Sequence, residues 1–161
     1  NLHLFEIKMK TNVRTNKLRE GLPESSSELS GIQSNKIRAL YPKELMSTLI
    51  PALINSFTRI TLVNRSKTER CTIDVDVTFR DPEAMHNEIK LNDIAIIEVK
   101  QSKASLLNGI VAALRTMRVY PSSISKYVVG LILTHPEIKH NSFKPLLHKI
   151  ERIKASTIAL S

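Results

Sequence analysis

The sequence predicts an α+β fold in which antiparallel β-strands form the framework and helices pack beside them. Residues 4–10 and 70–79 alternate apolar and polar side chains with the period of two that is typical of two-faced strands. Residues 64–67 have the composition of a turn between two strand-like runs, which indicates a hairpin. Residues 106–117 and 143–153 carry apolar side chains at helical spacing, so helices accompany the sheet.

The first predicted strand, residues 4–10, separates an apolar side from a charged side. Its charged residues are Glu6, Lys8 and Lys10. Lys17 and Arg19 flank a leucine in the same way, so we expect a partner strand there. The stretch that follows is rich in Ser, Glu and Gly and contains a proline, which predicts a flexible loop over residues 21–36.

The centre of the chain predicts one helix and three strands. A proline at a first-turn position, followed by apolar residues at helical spacing, favours a helix that begins near Lys43 and ends or kinks at Pro51. Residues 57–63 are β-branched and aromatic and form a hairpin with 70–79, while 94–100 is a further strand.

The alternation on the strand at 70–79 predicts one apolar and one polar face. The apolar set is Cys71, Ile73, Val75, Val77 and Phe79, and the polar set is Arg70, Thr72, Asp74, Asp76 and Thr78. On the strand at 94–100, alternation places Glu98 and Lys100 on one side.

The C-terminal third predicts helices and one ambiguous segment. Residues 106–117 and 143–153 fit amphipathic helices. Residues 123–133 fit both a strand, because they are rich in branched side chains, and a helix, because the Ser125-Lys126 start could cap one.

Composition favours an anionic partner. Twenty-four Lys and Arg against fifteen Asp and Glu give a formal charge of +9. Aromatic residues make up only 4%, which disfavours single-stranded nucleic acid because bases need rings to stack on. The lone Cys71 indicates a buried thiol in a reducing compartment. No run approaches the ~18 apolar residues of a membrane span, so we expect a location in the cytoplasm or at the cytoplasmic face of a membrane.

Three predicted strands carry charged residues at i and i+2, which leaves three interpretations open. Such side chains are costly to bury without partners, so they face water, pair with each other or line a polar cavity. The tetrads Phe5-Glu6-Ile7-Lys8 and Ile97-Glu98-Val99-Lys100 both place a carboxylate beside a cation. This pairing suits a metal-bound triphosphate, because the carboxylate holds a hard divalent ion while Lys and Arg neutralise phosphate oxygens.

Other chemistries have less support. The five histidines show no spacing with each other or with cysteine that suits zinc. Four glycines form no phosphate-binding loop. Ser125 beside Lys126 could pair a nucleophile with a base, but the start of a helix or strand explains this dipeptide as well.

The order of these motifs resembles the vacuolar transporter chaperone (VTC) domain of polyphosphate polymerases, which belong to the triphosphate tunnel metalloenzyme, or CYTH-like, superfamily. The residues that carry the resemblance are Phe5-Glu6-Ile7-Lys8, Phe57-Thr58-Arg59, Arg70-Cys71-Thr72-Ile73-Asp74, Ile97-Glu98-Val99-Lys100 and Ser125-Lys126-Tyr127. It implies an antiparallel β-tunnel flanked by helices, whose basic interior holds ATP and polyphosphate, or another triphosphate, with Mn or Mg.

Site residues follow from this resemblance position by position. Lys8, Arg59, Arg70 and Lys126 match catalytic cations, and Glu98 matches the metal-binding glutamate. The expected phosphate-binding residues are the four matched cations, the matched Lys17 and Ser125, and neighbouring cations on the charged strand faces. The full set comprises Lys8, Lys10, Lys17, Arg19, Arg59, Arg70, Lys100, Ser125 and Lys126.

Several departures keep alternatives open. Phe57 stands where the family usually has Tyr, Ile54 stands where other members have an arginine, and Ser123 replaces a lysine. The family's first strands, with an Arg-x-Arg pair, would precede Asn1, so residues 1–161 are interpreted as a single, N-terminally incomplete domain. The leading interpretation is a phosphotransferase that extends polyphosphate from ATP. The alternatives are an inorganic triphosphatase and a non-catalytic polyphosphate-binding module; any membrane partner and the oligomeric state stay open.

Overall fold

A computed structural model describes residues 2–10, 15–24, 28–41, 49–84, 86–102 and 109–158. These residues form six β-strands and four α-helices, and every strand pair is antiparallel, so the predicted α+β class is confirmed. The chain divides into two compact units, Asn1–Pro51 and Ala52–Ser161. This division does not decide whether residues 1–161 are one domain, which stays a prediction.

The first unit begins with a β-hairpin. Strand β1 (His3–Lys10) pairs antiparallel with β2 (Thr15–Leu22), which confirms both predicted strands. Opposed residues of a hairpin share a face. The register therefore places the charged side chains of the two strands together and pairs Ile7 with Leu18 on the other face.

Helix α1 (Gly31–Leu40) corrects the flexible loop predicted over residues 21–36, because β2 extends to Leu22 and the helix begins at residue 31. The physical reason is a capping box. The Ser30 hydroxyl accepts a hydrogen bond from the Gln33 backbone N–H, and the Gln33 side chain accepts one from the Ser30 N–H at 2.8 Å. Both backbone donors are thereby satisfied where the helix starts.

The second unit is built on a four-stranded sheet centred on β4 (Glu69–Arg80). Strand β3 (Ile54–Val63) pairs along one edge of β4. Strands β5 (Glu88–Leu91) and β6 (Ile96–Gln101) share its other edge, β5 along the C-terminal half and β6 along the N-terminal half. The predicted hairpin and the strand at 94–100 are confirmed, whereas β5 is too short to be recognised from alternation.

A β-bulge in β4 changes which side chains share a face. Between the pairs Ser56–Thr78 and Thr58–Val75, β4 has one residue more than β3. Asp76 lies in this interval with a φ of 51°, in the left-handed region that Asp tolerates better than most residues. One extra residue reverses the side-chain alternation beyond it.

The single apolar face predicted for this strand is therefore wrong. Val77 and Phe79 lie on the same face as Thr72 and Asp74, and the four are exposed by only 0%, 0%, 4% and 2%. The opposite face of β4 carries Cys71, Ile73 and Val75. The bulge thus joins an apolar half-strand to a polar one on the same side of the sheet.

Three helices follow the sheet: α2 (Gly109–Thr116), α3 (Lys126–Thr134) and α4 (Lys144–Ile158). The ambiguous segment at 123–133 is helical because the Ser125 hydroxyl accepts a hydrogen bond from the Val128 N–H at 3.4 Å and caps α3. The core consists of Val77, Phe79, Leu91, Ile94, Val129 and Ile150.

The helix expected to begin near Lys43 falls on residues 42–48, which lie outside the described residues. Within the described ranges the strands form a two-stranded and a four-stranded sheet, and no closed barrel is present. None of the described helices combines the length and apolarity needed to cross a bilayer.

Candidate functional site

Charged side chains from three strands and one helix converge on one face of the four-stranded sheet. The register places Arg59 opposite Asp74 and Arg70 opposite Lys100. Glu98 precedes Lys100 by two residues on β6 and so shares its face. We call this surface the basic face; its residues are Arg59, Arg70, Asp74, Glu98, Lys100 and Lys126, the last reaching it from α3.

Asp74 is the most buried charged group of the basic face. It accepts hydrogen bonds from Arg59 Nε at 2.6 Å and from Arg59 Nη2 at 2.8 Å, and a further one from Lys126 Nζ. Its side chain is 2% exposed, whereas Arg59 keeps 40% and Lys126 20% of their side chains exposed. The Arg59 hydrogen bonds, followed by that of Lys126, hold the pKa of Asp74 below its usual range.

The ring of Phe57 contacts the same two cations. Its centroid lies 4.9 Å from Arg59 Cζ and 4.5 Å from Lys126 Nζ. Each cation–π contact at a partly exposed site contributes about 0.5–1 kcal/mol. Arg59 and Lys126 are thus held by a carboxylate and by a ring, which restricts where their remaining N–H groups can point.

Glu98 and its neighbours are more open. Lys100 Nζ lies 3.1 Å from Glu98 Oε1, and each of these two side chains is 55% exposed. The hydrogen bond from Lys100 lowers the pKa of Glu98, with further contributions from the charges of Arg59 and Lys126. An exposed ion pair of this kind contributes little to stability. Glu98 is therefore an ionised carboxylate that is free to exchange partners.

Glu98 is the exposed carboxylate of the basic face, and so the residue there that could hold a divalent ion. Among the described residues no three His, Cys, Asp or Glu side chains cluster as a metal cage. Mg²⁺ and Mn²⁺ instead commonly use one or two carboxylates and complete their shell with water and phosphate oxygens. Thr72, directly opposite Glu98, has a buried hydroxyl without a hydrogen-bond partner in the described structure.

Ser125 occupies the N-cap of α3, immediately before Lys126. Its hydroxyl accepts a hydrogen bond from the Val128 N–H, and its side chain lies at the surface. A helix N-terminus carries partial positive charge. Ser125 is therefore explained as a helix cap, and its predicted phosphate contact stays a prediction.

The remaining predicted cations lie on the hairpin of the first unit. The register sets Lys8 opposite Lys17 and Glu6 opposite Arg19. Hydrogen bonds from Arg19 and then Lys8 lower the pKa of Glu6 to about 2. Lys10 ends β1, and its side chain lies outside the described part of the chain. One carboxylate thus faces several cations, as the alternation predicts.

Sequence reasoning named most of the basic face but missed its centre. Arg59, Arg70, Glu98, Lys100 and Lys126 were predicted, and the structure brings them to one surface. Alternation puts Asp74 on the polar side of its strand but predicts no role for it. Phe57 is noted only because it stands where the family usually has Tyr. The partners of Asp74 lie 15 and 52 residues away in the chain, so no local pattern could reveal its role.

Comparison with known proteins identifies a family. A search of curated proteins finds no significant match. A search of solved structures finds none either. The family model of the VTC domain matches residues 2–135, which include all five predicted residues of the basic face. The chain therefore belongs to the VTC domain family.

Proposed function

We propose that this chain is part of a polyphosphate polymerase that extends polyphosphate from ATP. Membership of the VTC domain family suggests a polyphosphate-related role. The observation that carries the finer proposal is the basic face, where four cations share one surface with an exposed carboxylate. These residues are Arg59, Arg70, Lys100 and Lys126, with Glu98 among them.

The charges of the basic face suit a chain of phosphates. Arg59 and Lys126 keep N–H groups free after bonding to Asp74, and Arg70 and Lys100 are exposed and lie opposite each other on neighbouring strands. In the proposed reaction, a terminal polyphosphate oxygen attacks the γ-phosphorus of ATP. The bond to the β-phosphate breaks, and ADP leaves with the electron pair. The cations stabilise charge on the transferred phosphoryl group.

Glu98 is the residue proposed to hold Mn or Mg together with the phosphates. Such an ion, when bound, neutralises charge on the phosphate oxygens. The tunnel implied by the family belongs to the proposal, with the basic face as one wall. Lys8, Lys10, Lys17 and Arg19 are proposed as further phosphate contacts from the hairpin. The proposed location is the cytoplasm or the cytoplasmic face of a membrane.

Incubation of the full-length protein with ATP and Mn tests the proposal. We expect acid-insoluble phosphate chains from the wild type and a loss of at least about tenfold in Glu98→Ala. Glu88→Ala is the matched control, because Glu88 also lies on this sheet beside Lys90 but away from the basic face. Folded wild-type protein that makes no chains would refute the polymerase assignment.

The same preparation separates the alternatives. Free phosphate released from tripolyphosphate, without chain growth, would instead favour an inorganic triphosphatase. Salt-sensitive binding of polyphosphate that survives Glu98→Ala, without turnover of either substrate, would favour a binding module. Competition between polyphosphate and DNA measures the preference against nucleic acid, and we expect polyphosphate to be preferred.

A further inference from the structure

Asp74 is a carboxylate inside a face whose other features favour anions. Six charged residues form the basic face, and Asp74 is the one that lies at its buried base. A carboxylate in this place could compete with phosphate for the cations, or it could hold the cations for phosphate. We infer that Asp74 is a positioning residue, which aims Arg59 and Lys126 at the phosphate chain; the inference rests on the proposed function.

The hydrogen-bond geometry leaves the cations usable. Arg59 has five N–H donors. Its Nε–H and one N–H of Nη2 are directed at Asp74, which leaves three for another partner. Lys126 has three donors and uses one on Asp74. Each cation therefore has one side fixed to the sheet and another side available to an anion.

A phosphate chain cannot take the place of Asp74. The Asp74 side chain is 2% exposed, so it cannot swing into solvent when an anion arrives. Removing its partners would leave an uncompensated buried charge, which is strongly unfavourable. Asp74 therefore stays bonded to Arg59 and Lys126 when phosphate binds, and the three groups act as one rigid unit with the ring of Phe57.

This arrangement predicts opposite effects on affinity and turnover. Neutralising Asp74 adds one net positive charge to the face, which favours polyanion binding. It also frees Arg59 and Lys126 from their fixed directions, and small misplacements of catalytic groups cost about 100-fold in rate. A simple counter-ion would show only the first effect, and a purely structural residue would lower both quantities together.

The decisive comparison is Asp74→Asn against Asp76→Asn. Asp76 lies on the same strand, is exposed and has a φ of 51°, which Asn also tolerates, so both variants remove one negative charge. For Asp74→Asn we expect the Kd for metal-free tripolyphosphate to be no higher than in the wild type, and the kcat with ATP and Mn to be at least about tenfold lower. Asp76→Asn should change neither by more than about twofold. Wild-type kcat in Asp74→Asn, or parallel losses of affinity and kcat, would overturn the inference.

A second measurement uses the wild-type protein and needs no turnover. The Arg59 Nε–H resonance, assigned by its absence in Arg59→Lys, should exchange slowly with water and stay protected when metal-free tripolyphosphate binds. Rapid exchange on binding would show that phosphate displaces Asp74 and would refute the inference. If the wild type makes no polyphosphate, the proposed function fails, while this experiment still decides the role of Asp74.

Discussion

Replacement of Gly130 by alanine probes the contact that seats α3 on the sheet. A Cβ atom at this position would lie 2.7 Å from Leu53 Cδ2 and 2.8 Å from Phe79 Cε1. Both distances are far inside van der Waals contact. Phe79 is 0% exposed, so its ring cannot move into solvent to make room. Either the helix or the core must shift.

Two effects of opposite sign determine the magnitude. Alanine stabilises a helix interior by about 1 kcal/mol relative to glycine. Overpacking a filled core costs about 1–3 kcal/mol, and a clash with a buried ring lies at the upper end. We expect a net loss of about 2 kcal/mol in the free energy of unfolding of Gly130→Ala, or a decrease in Tm on the order of 8 °C.

Urea unfolding followed by circular dichroism measures this loss. Gly31→Ala is the matched control, because an added Cβ at Gly31, the first residue of α1, meets nothing within 4 Å. It should be neutral or stabilise the protein by up to about 1 kcal/mol. If Gly130→Ala is as stable as the wild type, the close packing of α3 on Phe79 is refuted.

Three further predictions concern single side chains. The pKa of Asp74 lies below its ordinary value of 3.8, so its ion pairs stabilise the fold above about pH 4 and this stability is lost as the pH falls through the lowered pKa. The free energy of unfolding, measured with urea, should fall more steeply below about pH 4 in the wild type than in Asp74→Asn. Parallel curves for the two proteins would contradict this. Ser125→Ala should lose about 1 kcal/mol of stability, whereas Ser125→Asp should keep the cap and weaken tripolyphosphate binding; unchanged affinity would place residue 125 away from the anion. Cys71 is 2% exposed and burial raises the pKa of its thiol, so it should react with Ellman's reagent only after unfolding; fast reaction of the folded protein would exclude this burial.

Local sequence pattern predicted much of the sheet. The alternation at 4–10 and the turn composition at 64–67 identified two hairpins, because period and turn chemistry act over a few residues. Helix α1 was missed although Ser30 and Gln33 have the spacing of a capping box. The Ser, Glu and Gly content of residues 21–36 favoured a loop and outweighed the capping-box spacing.

The faces of β4 and the centre of the basic face could not be predicted in the same way. A single inserted residue at Asp76 leaves the alternation of residue types unchanged and alters only the pairing with β3. Likewise, the partners of Asp74 come from β3 and α3. Both features depend on tertiary pairing, which one strand's sequence does not contain.

The bulge at Asp76 has a consequence for how this strand can change. Asp74 and Val77 are three positions apart and would point to opposite faces of a regular strand, so the bulge is what places both on one face. Deletion of Asp76 would leave Asp74 and Val77 two positions apart, so a regular strand would keep Asp74 opposite Arg59 and on the same face as Val77. The faces of β4 therefore survive loss of the bulge together with its extra residue, whereas a regular strand of the present length would put Val75 in the place of Asp74.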